Sequence, residues 1–309
     1  MLAIARSIPF RHLQGGLGRS THRLNTITIG LELIAAGGDK PAELPVKWNK
    51  PSAAQARQVA DQARNFALVA AMAYAADLVD VFLRDIVCVD WMKFSDDTAD
   101  IATKRSTGSG GHEYSMCERA QAVSQNLGIL LYPLPEMLDL LSKWRNNLIH
   151  SHGSIRQISP KIKDKLLEYK IFLRDRYSNI EIDETIRHFE ERRVPTRKDA
   201  TVLLAAAQNL ARQIDEAAIR RALPTPSSME DLASSLLAER WSMAGGWSDF
   251  CSVWSEDQAS RTISILKRLG QLGVTESEKA VSAELPMSYV TDLASLKREE
   301  AAVKLQLQR

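Results

Sequence analysis

Three side chains able to do chemistry together, Arg145, Asn146 and His150, stand within six positions at the end of the run PLPEMLDLLSKW (133–144). An imidazole titrates near about pH 6.5 and so gives or takes a proton at neutral pH. A guanidinium stays charged and offers a planar fork that suits phosphate oxygens. An Arg and a His without a metal fit the cleavage of an RNA phosphodiester by its own 2′-hydroxyl. That reaction needs a base for the hydroxyl proton, an acid for the leaving 5′ oxygen and a positive donor for the charge at phosphorus. Asn146 lies four residues before His150, on its helical face, where its amide can hold the imidazole or touch substrate. On an ideal helix Arg145 and His150 are about 140° apart, so one copy does not obviously bring both to a single phosphate. Two copies of the chain are the alternative.

The element that must position these groups is a helix over 135–151. Leu134, Leu138, Leu141, Leu148 and Ile149 form its apolar stripe, and Arg145 falls four residues after Leu141, inside that stripe. A charge on a core-facing line calls for a counter-charge or a wet cleft, because an unpaired buried charge is costly. An earlier helix supplies acids. Asp77, Asp80 and Arg84 fall at i, i+3 and i+7 on one face of an otherwise apolar run. Either Asp77 and Asp80 hold Arg145, or Asp80 pairs with Arg84 on a solvated face. A plainer reading exists for the motif residues too, since cations in the last turn of a helix favour its dipole and serve as caps. Gly153 would let that turn close with a left-handed residue. His150 and His152 are the nearest thing to a metal pair. Residues two apart on a helix diverge by about 200°, so no metal and no cofactor is expected.

Composition sets outer bounds. The chain has 309 residues, 45% hydrophobic and 25% charged, and a formal charge of +2, so nucleic-acid binding would rest on local patches and not on bulk charge. Cys88, Cys117 and Cys251 lie in no paired spacing, which fits a reducing, cytoplasmic setting. The apolar run 66–89 is long enough to span a bilayer, but Asp77, Asp80, Arg84 and Asp85 interrupt it, so a buried helix is expected and no membrane partner. No segment repeats, and no phosphate-cradling glycine loop, G-x-S-x-G or H-E-x-x-H occurs.

Three segments are expected. Residues 1–51 form an N-terminal arm and linker. The first 23 residues carry four arginines and no acid, which is also how a mitochondrial transit peptide looks. Thr26 and Thr28 with alternating Ile27, Ile29, Leu31 and Leu33 predict one or two short strands, a possible hairpin, within 23–38. Residues 52–223 form an up-and-down helical bundle with helices near 53–91, 116–131, 135–151, 160–177 and 197–222. Its starts are marked by capping pairs: Ser52 with Gln55, Ser115 with Glu118, Thr196 with Asp199, and Ser159 before Pro160. The intervening stretch 94–114 reads as an exposed loop, which either frames a substrate groove or is an insertion without a role. Residues 224–309 form a small helical subdomain with patterns at 229–243, 248–269 and 287–307, Ser255 with Gln258 as a further cap, and four aromatics within 241–254 that belong to a core or an interface. A helix-turn-helix is an option over 260–278.

Arg145, Asn146, the intervening residues, His150 and the nearby Gly153 resemble the R-x4-6-H signature of HEPN domains, helical ribonuclease and nucleotide-binding domains of toxins, abortive-infection proteins and CRISPR effectors. The likeness covers about 53–222 and is otherwise one of helix order. It implies an all-α fold, a homodimer whose motif helices meet across the dimer axis, and metal-independent endoribonuclease activity on RNA in a toxin or antiviral role. Arg145, His150 and Asn146 would be catalytic, with Asp77, Asp80 and His152 auxiliary, and an antitoxin or sensor protein is a possible partner. A non-catalytic module that binds a protein or nucleotide through the same groove, with Arg145 structural, is the rival reading.

Overall fold

A computed structural model describes residues 1–104, 114–149, 157–276 and 279–307. The chain is all-α: the described residues form 14 helices and two short strands, and 72% of them are helical. They divide into two compact units that cut across the three expected segments.

The larger unit comprises residues 12–85 and 96–212. It contains most of α1 (Ile8–Ala35) and α2 (Ala53–Val87), then α3 (Asp96–Thr103), α4 (Met116–Asn126), α5 (Leu134–Ile149), α6 (Pro160–Glu168), α7 (Lys170–Arg176), α8 (Ile182–Glu190) and the first part of α9 (Arg197–Ala222). The strands expected within 23–38 are not there; residues 23–35 continue helix α1. The threonines that suggested strands bond back along the helix, Thr26 to the His22 carbonyl at 3.0 Å and Thr28 to the Leu24 carbonyl at 2.8 Å. The half-buried line is Leu24, Thr28, Leu31 and Ala35, a helical spacing, whereas Ile29 and Leu33 are 63% and 64% exposed. The alternation of isoleucine and leucine is therefore a pattern of exposure with no second face behind it.

Helix α2, expected to be buried, is buried along one face. Met72, Ala75, Ala76, Val79, Phe82 and Leu83 are inside, while Phe66, Tyr74 and Val81 on the other side are exposed. Among the described residues it is the one helix long and apolar enough, by length and composition, to cross a membrane. Gly16 lets α1 come close to it, since a Cβ there would meet Leu78 Cδ1 at 2.6 Å.

Most expected starts are present. Ser115 and Glu118 form a reciprocal capping box, Ser159 caps Pro160 onward, and Thr196 and Asp199 exchange backbone-to-side-chain bonds of 2.9 and 3.1 Å. The helix expected over 160–177 is two helices, broken at Tyr169, and the stretch after it holds α8, which the periodicity did not announce. The expected loop 94–114 begins with α3, anchored by buried Thr98 and Ala102; Arg105 and His112 lie outside the described residues.

The smaller unit comprises 1–11, 86–95 and 213–309. It contains α10 (Pro226–Ser242), α11 (Gly246–Ser255), α12 (Gln258–Gln271), α13 (Met287–Ser295) and α14 (Arg298–Lys304). Trp241, Phe250 and Trp254 belong to its core, with Phe250 and Trp254 ring centres 4.4 Å apart and the Trp241 indole N–H donating to Asp249 at 3.0 Å. Ser255 is the last residue of α11 and not a cap; Asp257 caps α12 through the Ser260 N–H. Among the described residues of 260–278, no second helix follows α12 as a helix-turn-helix requires. Residues 275–276 are instead β2 (Thr275–Glu276), antiparallel to β1 (Leu2–Ala3) with Leu2 opposite Glu276.

The N-terminal residues are thus fastened to the C-terminal third. Leu2 and Leu285 exchange backbone bonds, and Ile4 N–H donates to Ser282 Oγ at 2.9 Å. The Ser7 N–H donates to Asp215 Oδ2 at 3.2 Å while Ser7 Oγ accepts from Phe10 N–H. Asp215 is 1% exposed, and burial pushes its carboxyl up to about 6 against the opposing pull of Ser7. Its folded value is raised, so the folded state holds the proton more tightly than the unfolded one. That contribution is complete below about pH 4 and disappears as pH rises through about 6, an effect of about 3 kcal/mol. Urea unfolding of the parent and Asp215→Asn at pH 4 and pH 7.5 should show the parent losing about that much relative to the variant. Parallel pH profiles would remove the assignment.

Candidate functional site

Helix α5 changes character along its length. From Leu134 to Leu141 every residue is buried, whereas Arg145 to Leu148 are half-buried and Ile149 is exposed. Trp144, 1% exposed, pins the turn where this change occurs; its indole N–H donates to the Arg193 carbonyl at 3.1 Å and its ring meets Phe189 edge-on at 5.9 Å. Arg145 is the next residue, on the stripe but at its wet end. The cost of placing a charge on that line is lower there than deeper in the stripe, although the Arg145 Nε is buried without a hydrogen-bond partner among the described residues.

The Arg145 guanidinium reaches two partners. Nη2 donates to Asp77 Oδ1 at 3.0 Å, and Nη1 donates to Asn146 Oδ1 at 2.8 Å. Arg145 keeps 27% of its side-chain exposure and Asp77 keeps 63%, so this ion pair is a surface pair. Asp80, one turn on, does not join it. Its Oδ1 accepts from Arg119 Nη1 at 2.6 Å, and its Oδ2 takes Arg84. Arg119, on α4, is buried with 6% side-chain exposure. Asp77 and Asp80 thus divide, Asp77 to the more exposed Arg145 and Asp80 to the buried Arg119. His150, His152 and Gly153 lie outside the described residues.

Two more carboxylates sit on α5, Glu136 and Asp139, both buried with their carboxyls pushed up by burial. Lys143 stands 2.8 Å from Asp139, and Gln121 donates to Glu136 at 3.4 Å. Burial also raises the neighbouring Cys117 thiol, which keeps it protonated and unsuited to nucleophilic attack. Among the described residues no three His, Cys, Asp or Glu side chains converge as metal ligands. Compared with known proteins, the chain matches no family model, no curated protein and no solved structure.

Sequence reasoning brought together Arg145, Asn146 and Asp77, which do meet. It missed Arg119, whose partner is 39 positions away, and a basic groove along α9. The groove had a readable signal: Lys198, Thr201, Ala205, Asn209 and Arg212 recur at helical spacing, and the first acid on that line is Glu216.

Proposed function

We propose that the chain is a metal-independent, cytoplasmic endoribonuclease of the HEPN type, acting as a homodimer in a toxin or antiviral role. The observation that carries it is the state of Arg145: half-buried with its guanidinium in reach of solvent, aimed by Asn146, and paired with an exposed carboxylate that an RNA phosphate can displace. A surface pair of this kind contributes only about 0–1 kcal/mol to stability, which favours a role for the arginine beyond holding the fold.

In this reading Arg145 binds the nonbridging oxygens of the scissile phosphate. An imidazole of His150 from one copy takes the 2′-hydroxyl proton as the 2′ oxygen bonds to phosphorus. A protonated His150 of the second copy gives its proton to the 5′ oxygen as the phosphorus–5′ oxygen bond breaks. Products are a 2′,3′-cyclic phosphate and a 5′-hydroxyl. Purified protein in EDTA should cut single-stranded RNA to those ends and sediment as a dimer, and His150→Ala should leave the RNA intact. Equal cleavage by parent and variant, or 3′-hydroxyl ends, would sink the proposal.

A further inference from the structure

Away from Arg145, in the same unit, the end of α7 and the loop after it face the exposed side of α9 across a groove of about 700 Å³. Arg176, Tyr177 and Ser178 line one wall, and Lys198, Gln208, Asn209 and Arg212 are prominent on the other; among the described residues the lining contains no carboxylate. Three cations on one surface without an acid among them make a local field that the net charge of +2 conceals.

The cations are held by other groups. Asn209 Nδ2 donates to the Tyr177 hydroxyl at 2.9 Å, and its Oδ1 accepts from Arg212 Nη2 at 2.8 Å, so a buried tyrosine sets the arginine through one amide. Lys198 Nζ donates to the Asn179 carbonyl at 2.7 Å, which ties α9 to the turn where Ser178 and Asn179 both have left-handed backbone, φ 50° and 56°. Asp175, the acid next to Arg176 in the chain, is paired with its other neighbour Arg174.

Spacing selects the ligand. Lys198 and Arg212 are fourteen residues apart on one helix, about 21 Å along its axis. That is too far for a single phosphate or a compact phosphate cluster to bridge, and it suits a run of phosphodiesters. Tyr177 is buried, with its hydroxyl engaged, so it offers no open ring for a base to stack on; the groove's chemistry addresses backbone, with amides and hydroxyls for sugar oxygens.

We propose that this groove binds the sugar–phosphate backbone of single-stranded RNA, as a holding site for the strand on which Arg145 would act. The identity of the strand as RNA rests on the ribonuclease reading; the anion site does not. The test uses the full chain and a fluorescent 2′-O-methyl oligoribonucleotide, which lacks the attacking hydroxyl, so binding is read whether or not the protein cuts RNA. Affinity is measured by anisotropy from 50 to 200 mM salt for the parent, Arg176→Gln/Lys198→Gln/Arg212→Gln, and a charge-matched control, Lys47→Gln/Lys267→Gln/Arg298→Gln.

Single-stranded contacts contribute about 0.7 each to the salt slope, so the groove variant should lose about 2 from the slope and the control nearly nothing. Over that fourfold change in salt the parent's affinity should fall about 20-fold more than the groove variant's. Equal slopes for parent and groove variant overturn the site. Competition by tripolyphosphate or poly-glutamate as strong as by an RNA of equal charge overturns the strand assignment. A changed slope in a protein that cuts no RNA keeps the groove and removes the nuclease, and cleavage with an unchanged slope does the reverse.

Discussion

Arg145→Ala is expected to cut RNA roughly 10²–10³-fold more slowly than the parent, the usual loss when one fixed donor to a developing charge is removed. It should melt within about 3 °C of the parent, because the pair with Asp77 is exposed and contributes at most about 1 kcal/mol. Those two readings together separate the enzyme from a helical scaffold in which the arginine is structural. Asp77→Ala supplies the complementary test: with its neighbour gone, Arg145 keeps Asn146 and its charge, so cleavage should persist and melting should shift little. A large fall in melting temperature for Arg145→Ala, with no change in cleavage, would assign the residue to the fold.

The second large effect lies one turn along α2. Asp80→Ala leaves Arg119 buried without its carboxylate, and breaking such a pair from one side costs about 3–5 kcal/mol, toward the lower end here because Asp80 keeps 22% of its exposure. Melting should fall by roughly 10 °C. Adding Arg119→Met to Asp80→Ala removes the stranded charge while keeping volume, and should recover most of the loss. If the double variant melts no higher than Asp80→Ala, the damage is a packing defect and not a stranded charge. Asp77 and Asp80 read alike in the sequence, three residues apart on one face; their partners give them opposite roles.

The legible parts of the fold are those decided by neighbours in sequence. Ser115 with Glu118 and Ser159 with Pro160 mark starts within one turn, and α5 follows from a leucine stripe. Residue patterns mislead where one local arrangement is compatible with two structures. Thr26 and Thr28 favour strands by shape, yet a hydroxyl that bonds its own helix costs little on an exposed face. The 160–177 and 248–269 runs keep a helical period across real breaks, at Tyr169 and at Glu256–Asp257, because the break changes direction without changing which residues are apolar. At the site, the exposed end of α5 is foreshadowed by an arginine on the apolar line. That Asp77 and not Asp80 meets it depends on the rotation of α2 against α5, which no residue spacing encodes.

The fastening of residues 2–7 has a consequence for the order of events at the ribosome. Leu2, Ile4 and Ser7 are made long before their partners, Glu276, Leu285, Ser282 and Asp215. Ser7 waits through 208 positions for Asp215, and Ile4 through 278 for Ser282. By then every described helix that lies wholly in the larger unit has been synthesised. These pairings of the smaller unit therefore form only after residues 215–285 have been added to a chain that already holds residues 2–7.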